Sequence, residues 1–445
     1  MSKIEIINAY VEGNSIHYQI REDKGLGLLQ HEVVDIFIRY HGDEHFDCDL
    51  SQTPLSVLMI PISLYMLPIT YFFDIELVIP VMDKDLYSRL SAIYKAYSKV
   101  YGPFNEEWRG KLSIGEIIET KPVNIQKYDK VVFFSGGVDA CHAGIDNPGR
   151  KSLLVSIPDI ERDAKIDGPL REEKFSLIKK FSKVVDSDWI LISNNFNASL
   201  FKDNIIGDYL TNKRGLCSNA YYYDGWGGIR YLANMCCVAP VAYLTGVEFL
   251  VMGATFEQIE DKLLINYDGA SPELSDVIGF ANISFSEQDA LMVRRSKKVC
   301  NIIEWCKKKG ITTKMWACFS DGTTQCGYCV KCLRTQLNIL CAGENPKDWG
   351  FDNFNPDEFT KLIKSYRYCE ANPCWVWDNI EAIKDEMVYP YCNELLHWLK
   401  LIGYKEYHTQ SLRCARRQTM YRRLTSFRQY SHYLKVAISR LIGNK

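Results

Sequence analysis

The chain has 445 residues, 47% of them hydrophobic and 24% charged, with a formal net charge of −2. That length exceeds one ordinary core, so two or three domains are expected, and the composition excludes a disordered or fibrous chain. The near-neutral balance gives no global sign of nucleic acid or membrane, but residues 411–445 hold nine Lys or Arg and no Asp or Glu.

The amino terminus, "MSKIEIINAYVEG", lacks the basic-then-apolar pattern of a signal peptide. Sixteen cysteines then fit a reducing cytoplasm better than a disulfide scaffold. "KIEIINAYVE", "SIHYQIRE" and "VVDIFIRYH" alternate or cluster β-formers and predict a small antiparallel sheet. Residues 55–73, "LSVLMIPISLYMLPITYFF", are uncharged and near the minimum for crossing a bilayer. Pro61 and Pro68 interrupt the run and no basic cluster flanks it, which favours a buried helix pair over a membrane span. "DIELVIPVMD" is a further strand and "KDLYSRLSAIYKAYSKVYG" a helix, completing an N-terminal α+β module over 1–122.

From Lys130 the pattern changes. "KVVFFS", "SLLVSIP", "WILISNN" and "VEFLVMGAT" read as strands, with "EEKFSLIKKFSKVV" and a long apolar helix bent near Pro240 among them. Strands separated by helices predict an α/β fold with a doubly wound parallel sheet, here over 123–345. Ligands of such sheets bind beyond the carboxyl ends of the strands, where Ser135–Asp139 and Gly253–Thr255 fall. Residues 346–445 read as a helical C-terminal region ending in the basic tail.

The tightest chemical signal is "SGGVD", residues 135–139. Two glycines leave backbone N–H groups free to converge on an anion, because no Cβ blocks its approach. A following helix N-terminus adds positive potential. Ser135 supplies a hydroxyl, and Asp139 is the acid able to meet the Mg²⁺ of a polyphosphate. On this reading, removing the Asp139 carboxylate abolishes turnover and leaves the fold intact. Cys141 follows the loop and reads as a core thiol. A second signal is C-x7-C-x2-C-x2-C, Cys318, Cys326, Cys329 and Cys332. The short spacings let neighbouring thiolates reach one ion, and four of them close its tetrahedron, so structural Zn²⁺ is expected, with an iron–sulfur cluster as the alternative.

"FFSGGVDA" resembles the SGGxDS signature of the PP-loop ATP pyrophosphatases, of HUP-like fold, with Ala140 where that family carries Ser or Thr. The resemblance implies ATP bound by Ser135, Gly136, Gly137, Val138 and Asp139, and adenylation of a substrate carboxylate or carbonyl. A PP-loop followed by "CGYCVKCLR" at the end of the cysteine motif is similar to QueC, the 7-cyano-7-deazaguanine synthase family, over roughly 128–340. The family implies a deazaguanine-type small-molecule substrate, a 7-carboxy-7-deazaguanine that is adenylated and converted with ammonia to amide and nitrile. "GASPELSD" and "RRSKK" resemble family segments more weakly and place Ser271, Glu273, Arg295 and Lys297 near the substrate, together with Gly253 and Thr255. An exposed basic helix face explains Arg295 and Lys297 equally well.

The added front and basic tail resemble the longer QueC-like proteins of bacterial antiphage systems, such as the Qat system and type IV CBASS. Those relatives imply a protein partner from the same operon as the acceptor. Two other readings stay open: a tRNA-modifying PP-loop enzyme whose tail binds RNA, and a non-catalytic nucleotide-binding scaffold. In the tail, Arg416, Arg417, Arg422 and Arg423 alternate with Leu424, Phe427, Tyr430 and Leu434, a pattern suited to docking on a partner.

Overall fold

A computed structural model of the chain describes residues 2–23, 27–42, 48–101, 107, 109–157, 169–213, 228–253, 257–259, 262–264, 272–286, 293–318, 324–366 and 373–442. Two compact units result: Met1–Phe256 with Leu264–Trp316, and Glu257–Leu263 with Ala317–Lys445.

The strands of the first unit are β1 (Ser2–Glu12), β2 (Ser15–Glu22), β3 (Val33–Gly42), β4 (Ile75–Asp83), β5 (Lys111–Ile118), β6 (Lys130–Phe133), β7 (Ser152–Ser156), β8 (Asp188–Asn194) and β9 (Phe249–Val251). A two-stranded hairpin, β10 (Glu257–Ile259) and β11 (Lys262–Leu264), falls almost wholly in the second unit, and β12 (Gly279–Phe280) and β13 (Ile283–Ser286) complete the strands of the first. Eleven of them form one sheet in the order β12-β13-β9-β6-β7-β8-β3-β2-β1-β4-β5. The run β8-β7-β6-β9-β13 is parallel throughout. Its central strands carry apolar runs, Val131–Phe133 in β6 and Leu153–Val155 in β7, because both faces are covered; all five residues of β7 are buried.

The chain leaves β6 for β7 on one side, while β9 lies against the other edge of β6. That reversal is the switch point at which α/β sheets open a crevice for ligands.

The front strands alternate as expected, β3 burying Val34, Ile36, Ile38 and Tyr40 on one face. They do not, however, make a separate sheet. β3 pairs antiparallel with the outer edge of β8, Ile38 opposite Asn194 and Gly42 opposite Ile190. The boundary expected near residue 122 is therefore crossed by a hydrogen-bonded ladder, which removes an open edge from β8.

Residues 55–73 form α1 (Leu55–Met66) and α2 (Ile69–Phe72), joined at Leu67-Pro68. By length and composition Leu55–Phe72 passes for a membrane span, yet 94% of it is buried inside the protein. A helix apolar all round belongs in a core. The Tyr18 hydroxyl donates to Leu58 O at 2.8 Å and fixes α1 against the sheet.

The helix α3 (Lys84–Tyr101) ties β4 to the β12–β13 turn. Buried Asp83 accepts from Leu86 N at 3.1 Å, at the start of α3, and from Ala281 N at 2.9 Å. The expected bend near Pro240 is present: a 3₁₀ turn at Cys236–Val238 separates helices Gly228–Met235 and Ala239–Leu244.

In the second unit the cysteine segment groups with the C-terminal helices, so the division falls at Trp316/Ala317 instead of near 345. The last helix, Asn393–Ile442, breaks its helical geometry at Gly403. Tail side chains from residue 418 onward lie outside the described set, Arg422, Arg423, Leu424, Phe427, Tyr430 and Leu434 among them.

Candidate functional site

Beyond β6 the chain turns through Ser135, Gly136 and Gly137 into α4 (Val138–Asp146). Gly136 has φ +82, a conformation that L side chains resist. Its carbonyl accepts from Trp316 N at 2.6 Å, which holds the loop from outside. Gly137 is the N-cap and gives α4 no side-chain cap. A glycine N-cap brings no side chain over the first turn of α4, and the start of a helix suits an anion. Ser135 is exposed, with its Oγ 3.4 Å from Gly137 N, while Val138 is fully buried and offers only its backbone.

Gly253, just past β9, lies against the first turn of α4. A Cβ there would come within 2.5 Å of the Asp139 carbonyl carbon and 2.7 Å of Ala140 N. These are backbone atoms at the core of the site and cannot step aside, so only glycine lets the β9 loop close on the β6 loop. Gly253→Ala is expected to cost ~1–3 kcal/mol by overpacking. It should lower the melting temperature, and a wild-type value would show that the two loops are not closed on each other.

Asp139 projects toward the helix Arg295–Lys309. Lys298 Nζ donates to Oδ1 at 3.0 Å, and Arg295 Nη1 donates to Oδ2. The Lys298 side chain is wholly buried and that of Arg295 is 11% exposed. Arg295 therefore meets the loop through Asp139. Lys297 points to the solvent side, and the buried place belongs to Lys298, which the sequence reading passed over. A signal was present: Lys298 lies four residues before Ile302, on the stripe of Val299, Ile302, Ile303 and Cys306 that this helix buries. A lysine on an apolar stripe needs a buried anion.

Thr255 and Ser271 lie outside the described residues, and Glu273 sits on the short helix Pro272–Ser275 with its side chain outside them. Cys141 is fully buried, and burial pushes its thiol well above the ordinary range, with the Cys306 thiol and the Asp139 carboxylate adding to the shift. It is a core thiol, not a nucleophile.

The four expected cysteines converge. Their sulfurs all lie within 4.8 Å of one another. Backbone N–H groups aim at them: Cys326 N at Cys318 Sγ and Cys329 N at Cys326 Sγ, each at 3.3 Å, and Cys332 N at Cys329 Sγ at 3.5 Å. Gly327, at φ +77, makes the turn between the first two ligands of the x2-x2 run, and Cys329 caps the helix Val330–Cys341. Cys326 Sγ and Cys332 Sγ are 3.8 Å apart. A tetrahedron with metal–sulfur bonds of ~2.3 Å has edges of about 3.8 Å, so the donor set fits such an ion. The Cys329 sulfur and burial push the Cys332 thiol far above the ordinary range. Sulfurs this close cannot all ionise without a cation among them. The cluster can hold a metal ion such as zinc.

Compared with protein-family models, with curated proteins and with solved structures, the chain finds no match, so its function rests on the argument from the β6 loop and the cysteine cluster.

Proposed function

We propose that the chain is an ATP-dependent, QueC-like ligase that adenylates a 7-deazaguanine carboxylate with release of pyrophosphate. The observation that carries this reading is the glycine-capped start of α4 behind Gly136-Gly137, at the switch point between β6 and β9, with Arg295 and Lys298 against Asp139. Backbone N–H groups from Gly136 to Asp139 and the Ser135 hydroxyl would bind the polyphosphate. A carboxylate oxygen of the substrate attacks the α-phosphorus, and the bond from that phosphorus to the bridging oxygen of pyrophosphate breaks. Ammonia or a partner's amine then takes the acyl carbon and AMP leaves, giving an amide or a conjugate; a second ATP would adenylate the oxygen of the primary amide, which departs with AMP as two protons are lost, giving the nitrile. No nucleophilic side chain is required: the loop positions the reactants and offsets developing charge. Mg²⁺, when bound, would neutralise the phosphoryl oxygens. Zn²⁺ on Cys318, Cys326, Cys329 and Cys332 is the structural metal in this reading.

The longer antiphage relatives suggest a protein acceptor and a role in bacterial defence within the cytoplasm, with the basic tail docking on the partner. The test is incubation with ATP, Mg²⁺, 7-carboxy-7-deazaguanine and ammonia or the operon partner. Pyrophosphate release together with a mass gain on substrate or partner is expected. ATP binding without pyrophosphate under every combination would overturn the ligase in favour of a scaffold, a reading that Ala140, with no hydroxyl, invites. Tight RNA binding that falls steeply with salt would favour the tRNA-modifying enzyme.

A further inference from the structure

We infer that Arg295 and a divalent cation are alternative partners of Asp139 Oδ2, and that Arg295 passes from this carboxylate to the polyphosphate when nucleotide binds. The inference rests on the ATP reading above. Asp139 is the acid of the loop, and both of its oxygens meet cations. The two cations are held differently. Lys298 lies one turn into its helix with no exposed side-chain surface, so it cannot leave Oδ1 without parting that helix from α4. Arg295 is the first residue of the helix, and its side chain still reaches solvent.

Three features mark Arg295 as poised to move. Its Nε is buried without a hydrogen-bond partner among the described residues, so its set of donors is incompletely used on the carboxylate. It stands in the first turn of a helix that has no acidic residue there, where the helix dipole disfavours a cation. Its planar fork of donors matches a phosphate better than one carboxylate oxygen does. A divalent cation would sit ~2.1 Å from Oδ2 and would repel a guanidinium on the same oxygen, so the two exclude each other. Once released, the guanidinium is beside the start of α4, where the polyphosphate is proposed to lie. Asp139 then serves as a relay between charge states: held by Arg295 before binding, by the cation after it. Lys298 is a positioning residue that keeps the carboxylate in place in both.

The experiment titrates the full chain with Mn²⁺, without nucleotide, and follows free Mn²⁺ by electron paramagnetic resonance. Arg295→Ala is expected to bind Mn²⁺ about tenfold tighter than wild type, because a like charge has been removed from the ligand, while binding Mg²⁺–ATP more weakly. Arg295→Lys keeps the charge and should hold Mn²⁺ at the wild-type affinity, which separates competition from a disturbed fold. Equal Mn²⁺ affinity in wild type and Arg295→Ala overturns the exchange, whatever ATP does. A tighter Mn²⁺ site in Arg295→Ala of a chain whose wild type binds no ATP overturns the nucleotide reading instead.

Discussion

Cys332→Ser is expected to lose the metal and to unfold the cysteine-bearing unit at a markedly lower temperature, both effects appearing together. Cys332 is fully buried, its sulfur 3.8 Å from Cys326 Sγ, so a serine cannot be replaced there by another donor. Structural Zn²⁺ sites contribute apparent binding free energies of about 10–16 kcal/mol near neutral pH, as large as the stability of a whole domain. Losing one of four thiolates should therefore remove most of the metal and shift the melting transition by more than ~10 °C. Acid should do the same to the wild type, since thiolates must reprotonate before they release the ion. Cys341→Ser is the control. Cys341 is also buried, but its Sγ donates to Asn379 O at 3.8 Å and lies outside the cluster, so zinc content should stay at about one per chain. Elemental analysis beside calorimetry reads both quantities. Full zinc occupancy in Cys332→Ser, or a brown iron-containing protein, would sink the assignment.

The second large effect is at Asp139, and here the structure corrects the expectation that removing its carboxylate leaves the fold intact. Lys298 is wholly buried against it. Asp139→Ala takes the carboxylate away from that ammonium, and breaking a buried pair by removing one partner costs ~3–5 kcal/mol. The Asp139 side chain is 21% exposed, which places the cost toward the lower end of that range. Asp139→Asn keeps the shape and one acceptor for Lys298, at the cost of the countercharge and of the oxygen that meets Arg295, so it should lose less stability than alanine. It should remain folded, with pyrophosphate release reduced on the order of 100-fold or more, the scale of removing one preorganised electrostatic partner. Comparing the two variants separates stability from chemistry: a large fall in melting temperature for alanine, a small one for asparagine, and low turnover in both. Wild-type turnover in Asp139→Asn would take this loop out of the active site.

The features legible in the sequence were those set by neighbours a few residues apart. Gly136-Gly137 after an apolar strand announced a loop that only glycines allow, and Gly136 takes φ +82 there, because the steric reason lies within the glycines themselves. The x2-x2 spacing of Cys326, Cys329 and Cys332 announced converging sulfurs, because chain geometry over so few residues leaves them little choice. Pro61 and Pro68 in the apolar run of 55–73 likewise pointed to a core helix pair. What tertiary structure alone decided were the long-range partners. Alternation in β3 says which face is buried, but pairing is made by backbone groups common to all residues, so nothing in "VVDIFIRYH" names β8 as its neighbour. Gly253 gains its purpose only from the backbone of Asp139, which folding brings against it. Lys297 and Lys298 are the same residue type side by side. A helix turns by about 100° per residue, so one faces water and the other the interior, and the buried one is chosen by a carboxylate 159 positions away.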